Sequence, residues 1–394
     1  MSEAEAYRSL AWILGAAALA PLLLGLIPRI RLPEVVVMLA LGMALGPYGF
    51  GLAALDDRIQ FVSDLGLGML FLTAGLEVDP LILRTRDGGR AVTAWLLSLG
   101  VALCWMAVLH RVFDVTAWGA IAIAMTSTAL GTLLPLLRDA GLLGQSMGRL
   151  VMANGAVGEF GPVIAMSVFL TGGDTWGALT ALLAFCLIAV VLGYVLVRHS
   201  TRARRIVEIV RLQADTTAQA PVRLVLLLLA VMLATSASFG LDVILGAFVA
   251  GAIIRMLLPP DHESVSSRLD AIGYGFLVPV FFVASGMAID PAVILHDPGT
   301  VLFVFASILL IRGGSVMLLY RHLARRQLLT LGLFSATGLP IIVAVTAVAV
   351  ESGKMSQEGQ SIVVAAGMLT VLALPILALS LHVDDVGASG EPAG

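Results

Sequence analysis

Apolar residues run along this chain in blocks of about twenty, broken by short clusters of Gly, Pro and charge. A helix of ~20 apolar residues covers a hydrocarbon core of roughly 30 Å. The pattern predicts thirteen helices, near 10–27, 32–47, 60–77, 90–113, 117–137, 147–171, 175–198, 222–238, 241–258, 272–287, 299–320, 326–351 and 359–383. Those near 32–47, 241–258 and 272–287 look short. A cleavable signal would begin with a basic segment. This chain begins with Glu3 and Glu5 and a single Arg8, so the first block reads as a retained helix.

Composition sharpens the picture. Of 394 residues, 59% are hydrophobic and 12% charged, against about 25% charged in soluble domains. That surplus of apolar side chains excludes a water-soluble globule. Cys104 and Cys186 both sit inside apolar blocks, which reads as small hydrophobes rather than a metal or disulfide framework.

Charge placement orients the chain. Loops after odd-numbered helices hold 18 of the 23 Lys and Arg residues, from Arg29 and Arg31 to Arg321, Arg325 and Arg326. Cytoplasmic loops collect positive charge, which puts the N-terminus outside and the C-terminus inside. The largest loop, 199–221, carries Arg202, Arg204, Arg205 and Arg211 and is expected to lie on anionic lipid headgroups.

The segment FLTAGLEVDP (71–80) matches FVASGMAIDP (282–291) at Phe, Gly, Asp and Pro. Seven helices separate the two, so the second crosses in the opposite direction, the signature of inverted repeats. A similar offset relates Gly42 and Gly46 to Gly246 and Gly251, and MTSTAL (125–130) to FSATGLP (334–340). The expected organisation is a first repeat over 1–171, a linking helix and cytoplasmic loop over 172–221, a second repeat over 222–383, and a short tail over 384–394.

The repeat points to the chemistry, because ions bind where paired helices are interrupted near the midplane. Helix five carries Thr126, Ser127, Thr128 and Gly131, with Pro135 further on. Helix twelve carries Ser335, Thr337, Gly338 and Pro340. Hydroxyls there offer oxygen to a cation or to freed backbone groups. Between Arg149 and its end, helix six has one ionisable residue, Glu159, flanked by Gly155, Gly158, Gly161 and Pro162. A carboxyl at that depth costs several kcal/mol and marks an ion or proton pathway. Arg312, in mid-helix, needs a carboxylate, an anion or carbonyl partners and is read as charge-compensating. Glu159 would then hold either a proton or a metal cation. The chain shows no nucleotide-binding loop, haem ligand pattern or metal cluster, so no enzyme activity, cofactor or nucleic-acid partner is expected.

LPEVVVMLALGMALGP (32–47), FLTAGLEVDP (71–80), MTSTALGTLLPLLRDAGLL (125–143), LGAFVAGAIIR (245–255) and FFVASGMAID (281–290) resemble, in that order, the cation:proton antiporter-2 family. That family includes bacterial sodium/proton exchangers and the membrane part of Kef potassium efflux systems. The resemblance implies an all-α polytopic fold of about thirteen helices with crossed broken helices at 117–137 and 326–351. It also implies a homodimer in a bacterial inner membrane that exchanges sodium or potassium for protons in an elevator-like manner. Its essential carboxylate matches Glu159 and its basic residue Arg312. The ion-contacting set becomes Glu159, Gly158, Thr126, Ser127, Thr128 and Thr337. Where family members often pair the acid with Asp, Asn or Gln, this chain has Gly158. One titrating carboxylate suggests electroneutral exchange. A channel-like or sensor protein of the same fold, and a sodium-coupled organic anion symporter, are the alternative readings.

Overall fold

The structure is a computed structural model that describes residues 2–26, 33–77, 85–143, 145–169, 219–257 and 263–388, with a few more between 180 and 191. Every regular element among the described residues is helical. In chain order these are α1 (Glu3–Leu26), α2 (Glu34–Leu45), α3 (Asp57–Glu77), α4 (Arg86–Phe113), α5 (Trp118–Ala124), α6 (Leu130–Asp139) and α7 (Ser146–Phe169). There follow α8 (Ala220–Ser238), α9 (Val243–Leu257), α10 (Glu263–Ile272), α11 (Val278–Met287), α12 (Pro291–His296) and α13 (Pro298–Ile308). The last are α14 (Gly314–Leu319), α15 (Arg325–Ser335), α16 (Leu339–Glu351) and α17 (Gln357–Ala388).

Twelve of the thirteen predicted stretches have helical counterparts here. The predicted linking helix 175–198 and the loop 199–221 lie almost entirely outside the described residues, as do positions 78–80 of the first matched segment. Nine described helical stretches are long and apolar enough to span a membrane. As expected, α2 and α9 are short, at 12 and 15 residues. The stretch 272–287 is not. It starts at Glu263 and passes through a π-turn at Gly273–Leu277, because ESVSSRLDAI is a polar but helix-competent extension. A second π-turn, Leu309–Gly313, joins α13 to α14 and carries Arg312.

Two compact units emerge, and each draws on both halves of the sequence. In the first, Met1–Ala17, Ala53–Asp79 and Met166–Ala284, α3 crosses α9 at glycines. A side chain on Gly75 would strike the Phe248 carbonyl, and one on Gly251 the Leu72 carbonyl. Small residues allow this approach where lipid removes the hydrophobic drive between helices. Asp242 caps α9, its carboxylate accepting the Ile244 N–H at 2.8 Å.

The second unit, Ala18–Leu52, Pro80–Ala165 and Ser285–Gly394, holds the candidate site. Gly286 presses on the Leu39 backbone and Gly46 on that of Met287. Gly75 and Gly286 are the matched glycines of the two repeated segments, and each makes the same kind of backbone-to-backbone crossing. The interior gathers Leu133, Leu137, Leu150, Val316, Tyr320, Leu331 and Phe334.

Candidate ion-binding site

Two helices break side by side. The first stops at Ala124 and resumes at Leu130; the second stops at Ser335 and resumes at Leu339. Pro340 falls in the first turn of α16, where its missing N–H has no partner to lose. The first break does not lie at Pro135: α6 runs through that position, and the interruption falls at Met125–Ala129. There the threonine and serine hydroxyls compete for backbone carbonyls.

The freed groups of each break are satisfied by the other. The Ala129 N–H donates to the Thr337 carbonyl at 2.7 Å. Ser127 Oγ donates to the Ala124 carbonyl at 2.7 Å and to the Gly338 carbonyl at 3.2 Å. Thr128 Oγ1 donates to the Ser335 carbonyl. Two helix N-termini and two C-termini therefore meet at one buried crossing. Their partial charges offer a cation carbonyl oxygen on one side and repel it on the other.

The Glu159 helix is tied to this crossing through its own irregularity. Pro162 lies inside α7 and has no N–H to give the carbonyl four residues back, that of Gly158. That carbonyl instead accepts the Thr128 N–H at 2.9 Å. Glu159 is the next residue and is buried, 6% exposed. Thr128 is thus held against the residue before Glu159 by a proline on α7 and a helix break on another element.

Arg312 completes the arrangement. It is fully buried, and its Nε donates to Thr128 Oγ1 at 3.1 Å while Nη2 donates to the Asn154 carbonyl at 2.9 Å. The guanidinium and the Thr128 hydroxyl fill the space that a side chain on residue 158 would take. Gly158 is therefore a steric requirement: the expected polar neighbour of the acid is replaced by groups reaching in from the break before α6 and from the π-turn.

Of the residues expected at the site, Ser127, Thr128, Gly158 and Arg312 form one bonded cluster, with Glu159 next in sequence to Gly158. Thr126 and Thr337 are buried, but their hydroxyls bond back to Ile123 and Leu333 of their own helices. The Thr337 contribution to the crossing is its carbonyl. Sequence reasoning missed two members. Asn154 donates from Nδ2 to the Tyr320 hydroxyl at 3.1 Å and to the Leu150 carbonyl at 3.0 Å. Tyr320 in turn donates to the Asp87 carbonyl at 3.3 Å. Arg312 and Tyr320, eight residues apart, hold Asn154 by its carbonyl and its amide. The available signal was a buried Asn on the same helix as the acid. Among the described residues no three His, Cys, Asp or Glu side chains gather into a metal cluster.

Apolar spans and crossed broken helices define a multi-spanning α-helical membrane protein. The chain belongs to the sodium/hydrogen exchanger family, transmembrane, which its residues 14–379 match. It is similar to YjbQ of Bacillus subtilis (strain 168), an Na(+)/H(+) antiporter by name, at 24% identity over 406 aligned positions. That alignment covers 95% of this chain and 63% of YjbQ, so the chain spans less than two thirds of that relative. It is also 24% identical over 279 positions to a protein of Methanocaldococcus jannaschii named as Na(+)/H(+) antiporter 3, covering 69% of each. The fold is that of the sodium proton antiporter MjNhaP1 from Methanocaldococcus jannaschii, with a TM-score of 0.62 over 98% of both chains at 15% identity.

Proposed function

We propose that this chain exchanges a monovalent cation, Na⁺ or K⁺, for protons across a membrane, with Glu159 binding the two in turn. The observation that carries the reading is the burial of Glu159 immediately after the one α7 carbonyl bonded to the helix crossing. The family and the names of the relatives support it. A carboxylate takes a proton or a metal cation, and loading by either neutralises it. Alternation between inward- and outward-facing states only when loaded couples the two flows. The carbonyls and hydroxyls of Ser127, Thr128 and Thr337 supply neutral oxygens suited to a hard cation. Arg312 holds a compensating charge beside them. Elevator-like movement, a homodimer, an inner-membrane location and an outside N-terminus complete the proposal, as the resemblance and the arginine distribution imply.

Proteoliposomes with an imposed pH gradient test it, with Na⁺, K⁺ and Li⁺ compared. The intact protein is expected to move protons only when a transported cation is present. Glu159→Gln should abolish this and Glu159→Asp keep part of it. Full exchange by Glu159→Gln would overturn the assignment.

A further inference from the structure

One feature of the site-bearing unit lies outside the candidate ion site. A groove of about 620 Å³ runs between α4 and the α13–α14 helix, lined by Val101, Trp105, Leu310, Ile311, Gly314 and Arg321 among others. Val101, Trp105 and Leu310 are exposed, although both helices are apolar enough to span a membrane, so this face meets hydrocarbon rather than water. Gly314 leaves room: a Cβ added there meets nothing within 4 Å. The apolar length ends at Arg321. Next to it His322, Arg325 and Arg326 are also exposed, and this segment belongs to the arginine-rich set of loops.

The groove and the site share one turn of helix. Leu310 and Ile311 flank Arg312 within the π-turn. They line the groove, while the Arg312 head reaches Thr128 and Asn154. A π-turn is a local departure from regular helix, and Val101 and Trp105 of α4 and Leu328 of α15 line the groove with it.

We propose that this groove holds an acyl chain of an anionic phospholipid, with the phosphate on Arg321, and that the chain braces the π-turn that positions Arg312. The apolar wall selects a lipid tail. The cationic end selects a negative headgroup over a zwitterionic one. The binding half stands independently; the bracing half rests on the exchange function proposed above.

Trp105 reports occupancy directly. The protein is placed in phosphatidylcholine nanodiscs containing a minor fraction of bromine-labelled phosphatidylglycerol or bromine-labelled phosphatidylcholine. Quenching of Trp105 is the difference between the intact chain and Trp105→Phe. The expected result is an apparent affinity about fivefold higher for the labelled phosphatidylglycerol, the gain from one arginine near an anionic headgroup. Arg321→Gln should bring the ratio to about one, and Gly314→Leu, which fills the groove, should weaken quenching by both lipids. Equal quenching by the two lipids in the intact chain would reduce the groove to ordinary annular contact and overturn the proposal. So would a ratio unchanged by Arg321→Gln, or protection from both lipids by a second copy of the chain. Glu159→Gln should keep the full ratio, so that failure of the exchange reading and failure of the lipid site are told apart. In proteoliposomes, phosphatidylglycerol should raise the exchange rate of the intact chain and not that of Gly314→Leu; indifference of the intact chain would overturn the bracing.

Discussion

At the residue scale the site turns on Gly158. The resemblance to antiporters leads one to expect a polar side chain beside the acid, and its absence looks in the sequence like a lost ligand. In the fold the same space is occupied by Arg312 and the Thr128 hydroxyl, so the polar surroundings are supplied by other elements. A methyl group at 158 must displace one or both. Thr128 is held through its N–H by Gly158 and through its hydroxyl by Ser335, so it cannot yield cheaply. Overpacking of this kind costs ~1–3 kcal/mol. Gly158→Ala is accordingly expected to lower exchange by about fivefold or more while remaining monodisperse in detergent. Gly100→Ala, at a glycine with open space around it, should be neutral. Equal exchange rates for the two variants would show that Gly158 is not sterically required. Asn154 carries the converse lesson. Five residues before the acid, it lies off the Glu159 face on a helical wheel, which hides its role. Its partners, Arg312 and Tyr320, are more than 150 positions away, and no local pattern announces such a contact.

At the element scale, apolar block length made most of the helices legible, and the paired hydroxyl-rich segments located both breaks. The π-turns were invisible, since a shift from four- to five-residue hydrogen bonding leaves no periodic trace in segments as apolar as these. Glu263–Ile272 was read as loop because its polarity outweighed its helix-forming residues. Pro162 loosens α7, and the Gly158 carbonyl it frees accepts the Thr128 N–H. Pro162→Ala restores an N–H that competes for the Gly158 carbonyl. The variant removes an interior proline, which alone costs a helix about 3 kcal/mol relative to alanine, so α7 should not become less stable. The tie to Thr128 should weaken by the net worth of a hydrogen bond, ~0.5–1.5 kcal/mol, and exchange should fall about two- to tenfold. The two readouts therefore move apart: an unchanged or higher unfolding temperature with slower exchange. A lower unfolding temperature with normal exchange would mean that the proline serves packing alone.

At the scale of the whole molecule the question is how much charge crosses the membrane in each cycle. Net charge over the chain is −3 and is irrelevant here; under the proposed exchange what counts is the charge on the site in its two loaded forms. Glu159 with a proton and Glu159 with a monovalent cation differ by nothing in net charge. Arg312, bonded to Thr128 and Asn154 in the same unit, adds the same positive charge to both. If the site cycles only when loaded, the outward and inward strokes cancel, and exchange is one-for-one. A membrane potential then has no net charge to act on. Were one charge to move per cycle, a potential of 100 mV would contribute about 2.3 kcal/mol, enough to hold a cation gradient of roughly fiftyfold. The two outcomes are far apart. Proteoliposomes with equal pH, Na⁺ and K⁺ on both sides, polarised by a gradient of a membrane-permeant anion while Na⁺ exchange is followed, should show no net sodium or proton movement. A sodium gradient built by voltage alone would require a second titrating group in the cycle and would refute the single-carboxylate mechanism. Arg312→Ala refines the measurement. It removes the fixed charge from both loaded forms equally, so it should alter the rate or the stability of exchange while leaving it insensitive to voltage. Voltage-driven flux appearing only in that variant would mean that Arg312 normally offsets the charge of a second group in the cycle.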